Sequence, residues 1–197
     1  MTQAETILKF MQENNGQISI NDVKKLGLAK MTLYRMAEDQ QIEKIAPGVF
    51  ILPQEFGDDI AALQYRFSKG IYFKDTALFL HGMIDRTPEI YEMNFPISIS
   101  HGGIYDAPLK TYRQTEKLFK IGIEDVQSPG GHNVKVYNIE RTLCDILRTR
   151  DRSDAETIKQ AMNSYAKMSG KNILRLTKYA DIFKVRDEIQ KYMEVLL

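Results

Sequence analysis

Apolar side chains at Ala4, Ile7, Leu8 and Met11 recur three and four residues apart, the stripe of an amphipathic helix, and Asn14-Asn15-Gly16 supplies a stop. The spacing predicts a first helix over residues 3–14. Ser19 is placed to cap a second helix with Asp22 at its third position, Val23 and Leu26 turn inward, and Gly27 offers the left-handed residue that closes it. Only Leu28 and Ala29 separate that glycine from a third helical pattern over residues 30–40. Two short helices joined by so short a turn form a helix-turn-helix. Phased at about 100° per residue, Leu33, Met36 and Ala37 face the other helices. The opposite side carries Met31, Tyr34, Arg35 and Glu38, with Lys30 and Thr32 near its N-terminal end. Residues 42–46 and 49–52 then read as two strands about Pro47-Gly48, a turn of the type II kind, which makes a wing.

Beyond Pro53 the pattern changes, and residues 54–57 read as a linker between a domain over 1–53 and a second over 58–197. In the second, residues 58–69 and 75–81 are helical and 71–73 is a short strand. Residues 91–100, 118–126 and 133–137 are rich in β-branched and aromatic side chains and read as sheet strands, with 110–117 polar and unassigned. From Asn138 onward the pattern is helical: 139–148, a helix to Met168 opened by a capping box Ser153-Asp154-Ala155-Glu156, then 172–182 and 184–196. The expected fold class is α+β: an N-terminal winged helix-turn-helix followed by a mixed α/β domain with a helical C-terminal end.

The composition is that of a soluble globular chain, with 43% hydrophobic and 27% charged residues. No apolar run reaches the roughly 18 residues that span a bilayer, and Met1-Thr2-Gln3-Ala4-Glu5 lacks the basic and apolar regions of a signal peptide, so a cytoplasmic protein with no membrane partner is expected. The single cysteine, Cys144, has no internal disulfide partner and sits among Leu143, Ile146 and Leu147 as a buried thiol. Oligomeric state is not readable, and two monomers meeting on DNA serve as well as a preformed dimer.

A net charge of +1 gives no global attraction to nucleic acid, so any such role rests on local charge. Lys24, Lys25, Lys30 and Arg35 follow one another without an acidic residue among them, and Lys44 lies on the wing. Glu38, Asp39 and Glu43 offset them, and residues 1–53 carry six basic and six acidic side chains. Candidate DNA contacts are Lys24, Lys25, Lys30, Thr32, Tyr34, Arg35 and Lys44. A domain of zero net charge binds phosphates weakly alone, so Lys171, Arg175 and Lys178 are candidate secondary contacts.

Other chemistries find little support. His81, His101 and His132 stand in no metal-ligand register, and no nucleotide-phosphate glycine loop is present. Asp58-Asp59 and Glu124-Asp125 are adjacent in sequence and point apart. Glu140-Arg141-Thr142 reads as a helix start. The expectation is a non-enzyme with no catalytic residue, metal or cofactor; a winged protein-interaction module or a regulator unconnected with a toxin is the alternative.

Three stretches, LAKMTLYRMAEDQQIEKIAPGVFIL, FKDTALFLHGMIDRTPEIYEMNFP and VKVYNIERTLCDILR, in order and spacing resemble the AbiEi-type antitoxins of type IV, abortive-infection toxin-antitoxin systems. The tracts TALFLHGM and YNIERTLCDIL are the most specific. The resemblance runs from about residue 4 to about residue 150 and more loosely beyond. It implies a phage-defence antitoxin that represses its own operon by binding inverted repeats in the promoter. It also implies a second domain that antagonises a co-expressed nucleotidyltransferase-like toxin without a stable complex. By position it carries Lys30, Thr32, Tyr34 and Arg35 over as recognition-helix contacts and Lys44 as a wing contact. Ala29 departs from the capping Ser expected before that helix.

Overall fold

In a computed structural model that describes residues 1–99, 107–148 and 152–196, the chain opens with α1 (Gln3–Glu13). Thr2 Oγ1 accepts the Glu5 N–H, and Glu5 in turn accepts the Thr2 N–H, a complete capping box. The chain divides into two units: Met1–Lys69 with Gln127–Val134, and Gly70–Val126 with Lys135–Leu197. The architecture is α+β, with helices and two sheets.

In the first unit, α1 is followed by β1 (Gln17–Ser19), α2 (Ile20–Lys25), α3 (Lys30–Glu38), β2 (Glu43–Ala46) and β3 (Val49–Ile51). Ser19 caps α2 and Asp22 completes the box, accepting the Ser19 N–H at 3.0 Å. Gly27, at φ +71°, closes α2 through Leu28 N–H to Val23 O at 3.0 Å. The strands form an antiparallel sheet in the order β1-β3-β2, with Gly48 at φ +78° in the turn between Ala46 and Val49. Ile7, Met11, Ile18, Val23, Leu33, Met36, Ile42 and Phe50 form one buried cluster.

The inward face expected of the third helix is observed, with Leu33 and Met36 buried and Ala37 packed partly against the cluster. Leu26, expected inward, is exposed, because it caps α2 at the point where the chain turns away. β1 was not expected: three residues between a helix stop and a helix cap show no alternation, and pairing with β3 alone makes them a strand.

Asp58 caps α4 (Asp59–Arg66), the last helix of this unit. The unit boundary therefore falls beyond the linker read at 54–57, since the Asp58 N–H donates to Gln17 Oε1 at 3.1 Å and returns the chain to β1.

The second unit contains β4 (Ile71–Tyr72), α5 (Lys74–Leu80), β5 (Tyr91–Pro96), β6 (Leu109–Gln114), α6 (Glu116–Phe119), most of β7 (Ile123–Gln127) and of β8 (Asn133–Tyr137), and α7 (Ile139–Leu147). It ends in α8 (Ala155–Lys167), α9 (Ile173–Phe183) and α10 (Arg186–Leu196). The sheet order is β6-β5-β4-β8-β7, with β5 parallel to β6, β4 antiparallel to β5 and β4 parallel to β8. The helices share a core that includes Leu78, Leu143, Cys144, Ile146, Met162, Tyr165, Leu176 and Phe183.

The second unit departs from the sequence expectation at three places. The strand expected over 118–126 begins only at Ile123, because Thr115 opens the short helix α6. Most of the polar stretch 110–117 is β6, a strand at the sheet edge where Lys110 and Arg113 stay exposed and only Gln114 of its polar side chains is buried. The cap of α8 is Asp154 rather than Ser153, whose hydroxyl donates instead to Asp75 Oδ1 at 2.5 Å. Ser100, the last residue of one expected strand, and His101 lie outside the described residues.

Candidate nucleic-acid interface

The exposed side of α3 is built from side chains that its own core residues force outward. With Leu33 and Met36 buried, Lys30, Met31 and Arg35 are exposed, and Met31 retains 58% of its surface. Ala29 supplies no side-chain cap to this helix. Gln3 of α1 takes that place: its Oε1 accepts the Thr32 hydroxyl at 2.8 Å and the Ala29 N–H at 3.4 Å. Thr32 is therefore partly committed to holding the helix start.

Tyr34 couples α3 to the β2-β3 hairpin. Its ring meets Phe50 edge-on, with centroids 5.5 Å apart, and Lys44 Nζ lies 5.8 Å from its centroid, within reach of a cation–π contact. Tyr34, Phe50 and Lys44 thus form one packed frame beside the exposed Arg35. Lys24 is exposed, and Lys25, also exposed, lies 3.3 Å from the Asp22 carboxylate. Glu38, Asp39 and Glu43 are exposed in the same unit, so its cationic side chains are partly offset.

Of the secondary candidates, Lys171 Nζ donates to the carbonyls of Ala166 and Met168 at 2.8 and 3.1 Å, closing the end of α8. Arg175 Nη1 sits 3.4 Å from the Glu140 carboxylate, which is nearly buried. Lys178 is exposed and makes no ion pair among the described residues. Only Lys178 of the three has no structural duty visible here.

A Ser-His-Asp grouping that sequence spacing did not suggest lies in the first unit. His132 Nδ1 is 2.9 Å from Asp58 Oδ2, and the Ser128 hydroxyl donates to the same carboxylate oxygen. Nucleophile activation requires the serine on the imidazole, whereas here both groups converge on Asp58. Burial pushes the Asp58 carboxyl up, but hydrogen bonds from His132, Ser128 and the Ala61 N–H outweigh it and hold the group below 3.8. The cluster ties Gln127–Val134 to the start of α4 and makes His132 a satisfied structural histidine on its Nδ1 side.

His81 Nε2 is 2.8 Å from the Tyr137 carbonyl. Cys144 is fully buried and burial pushes its thiol well up, which makes it inert as a nucleophile. Among the described residues no group of His, Cys, Asp and Glu is arranged to hold a metal ion, and no helix is long and apolar enough to cross a membrane.

No family model and no curated protein matches the chain. Among solved structures, the Rv2827c protein from Mycobacterium tuberculosis is similar, with a TM-score of 0.54 at 11% identity over 100% of this chain and 81% of that one. The likeness is one of fold.

Proposed function

We propose that the chain is a DNA-binding antitoxin of the AbiEi type, whose first unit is a winged helix-turn-helix that represses its own operon. The observation that carries the DNA reading is the frame of Tyr34, Phe50 and Lys44, which holds the exposed face of α3 and the β2-β3 hairpin in fixed register. α3 is the recognition helix, with Arg35 on a base edge or phosphate, Lys30 and Thr32 near phosphates at the helix start, and exposed Met31 and the Tyr34 ring offering apolar contact. Lys44 meets the flanking backbone as a wing contact, and Lys24 and Lys25 add phosphate contacts. Inverted repeats in the promoter are bound by two copies meeting on the DNA.

The second unit antagonises a co-expressed nucleotidyltransferase-like toxin in this reading, which rests on the resemblance of YNIERTLCDIL and TALFLHGM to that family. The first tract is largely interior: Glu140, Arg141, Thr142, Leu143, Cys144, Asp145, Ile146 and Leu147 are all buried in α7. Its side chains support the fold of the unit, and antagonism falls to the surface around them. The protein acts in the cytoplasm and needs no cofactor.

Co-expression with a nucleotidyltransferase-like reading frame adjacent to its gene tests the antitoxin reading. Rescue of growth by the full chain, and equally by its Arg35→Ala variant, is expected, with loss of promoter repression in the variant alone. Failure of the full chain to rescue growth removes the antitoxin reading, and failure to retard DNA from its own upstream region removes the repressor.

A further inference from the structure

On α3 the buried side chains of Leu33 and Met36 fix which way the rest of the helix faces. At about 100° per residue, Met31, Arg35 and Glu38 fall within roughly 60° of one another, on the side opposite that buried pair. All three are exposed. Along the axis, at about 1.5 Å per residue, they span roughly 10 Å, the height of about three base-pair steps. An apolar, a cationic and an anionic side chain thus stand in a row on the crest of the helix.

None of the three is committed to the fold. Met31 is a large apolar side chain left outside the buried cluster of its own unit. Arg35 and Glu38 are three residues apart, the spacing at which Lys25 pairs with Asp22 and Lys191 with Glu188. Yet among the described residues neither the Arg35 nor the Glu38 side chain forms an ion pair or a hydrogen bond. A helix that only gripped phosphates would be weakened by an acid on this crest, because the acid repels the DNA backbone. An acid facing base edges acts differently: it accepts from an amino group and rejects base pairs that present acceptors at that point.

We propose that this crest reads base identity: Met31 packs on a thymine methyl, Arg35 donates to guanine O6 and N7 as a pair, and Glu38 accepts an amino N–H of cytosine. The ligand is a duplex whose major groove presents those bases within about four consecutive base pairs, on either strand. Glu38, which offsets the local cations, is thereby a specificity residue. It lowers affinity for DNA in general and restores it where a cytosine amino group meets it. The inference rests on the DNA-reading role of α3 proposed above and adds the bases that the helix reads.

Selection from a pool of random duplexes with the full-length protein, followed by fluorescence anisotropy on the selected site, tests it. The selected half-site is expected to hold T, G and C within about four consecutive base pairs. Replacing that thymine by deoxyuridine removes only the methyl, and is expected to weaken wild-type binding about fourfold while leaving Met31→Ala unaffected. Arg35→Ala is expected to lose the preference for guanine alone. Glu38→Gln is expected to bind an unrelated duplex more tightly and to select adenine in place of cytosine, since a glutamine amide matches adenine N6 and N7. No enriched sequence at all would remove the DNA-reading role together with this inference. An enriched sequence without these bases, an equal deoxyuridine loss in wild type and Met31→Ala, or the same selected base in Glu38→Gln would overturn the base assignment and leave DNA reading standing.

Discussion

Arg141 Nε donates to Asp145 Oδ2 at 2.5 Å across one turn of α7, and neither side chain is exposed to solvent. The other two guanidinium nitrogens also donate: Nη1 to the carbonyls of Leu118 and Ile121, and Nη2 to Gln114 Oε1 at 2.6 Å. Its Cζ lies over the Tyr137 and Phe183 rings, 4.3 and 3.9 Å from their centroids. Gln114 Oε1 also accepts from Asn94, which donates as well to the Tyr137 hydroxyl. One buried cation thereby connects β5, β6, α6, β8, α7 and α9.

Removing one member of such a pair strands the other. Arg141→Leu is expected to destabilise the protein by about 3–5 kcal/mol, with the Arg141→Leu/Asp145→Leu double variant losing less than the sum of the singles. Urea unfolding of the three variants measures this. Strict additivity would contradict the coupling.

This network also marks how far the sequence is readable. Caps and helical periods are local, so Ser19 with Asp22, Gly27, and the inward set of Leu33, Met36 and Ala37 are all visible along the chain. Arg141, by contrast, reads only as part of a helix start, because its hydrogen-bond partners lie as many as 27 residues away. β6 hides for the complementary reason: LKTYRQ lies on a sheet edge and carries no apolar run. At the candidate interface, the outward position of Lys30 and Arg35 follows from periodicity, whereas the Gln3 clamp on Thr32 and the Tyr34–Phe50 contact depend on tertiary packing.

Gly48→Ala is expected to cost about 1–2 kcal/mol. The turn holds this residue at φ +78°, and an added Cβ would lie 3.1 Å from Ile20 Cδ1. Thermal unfolding measures the loss, and an unchanged midpoint would show that the β2-β3 turn does not need a left-handed residue.

Asp58 contributes an acid-sensitive part of the stability. Its folded-state carboxyl is held below the ordinary 3.8, so the contribution is fully present above that value and is lost as pH falls through the folded-state value. Asp58→Asn keeps a capping side chain for α4 and removes the charge. The stability difference between wild type and Asp58→Asn is expected to be constant above about pH 5 and to shrink on acidification below 3.8. A difference that does not change with pH in denaturant titrations would sink this account.

The three secondary DNA candidates are separable by what they hold. Lys171→Ala and Arg175→Ala are expected to lower the thermal midpoint, since each leaves carbonyls or a nearly buried carboxylate without a partner. Lys178→Ala is expected to leave stability unchanged. A loss of DNA affinity confined to Lys178→Ala would assign the second unit a direct phosphate contact, and no loss there would leave recognition to the first unit.

Fluorescence anisotropy of a labelled duplex from the chain's own upstream region, titrated at rising salt, tests the central claim most directly. Wild-type protein is expected to prefer that duplex to an unrelated one, Arg35→Ala to lose about 1–3 kcal/mol of that preference, and Lys44→Ala to flatten the salt slope by about one unit. Equal affinity of the wild type for both duplexes, or wild-type discrimination by Arg35→Ala, would contradict a DNA-reading α3.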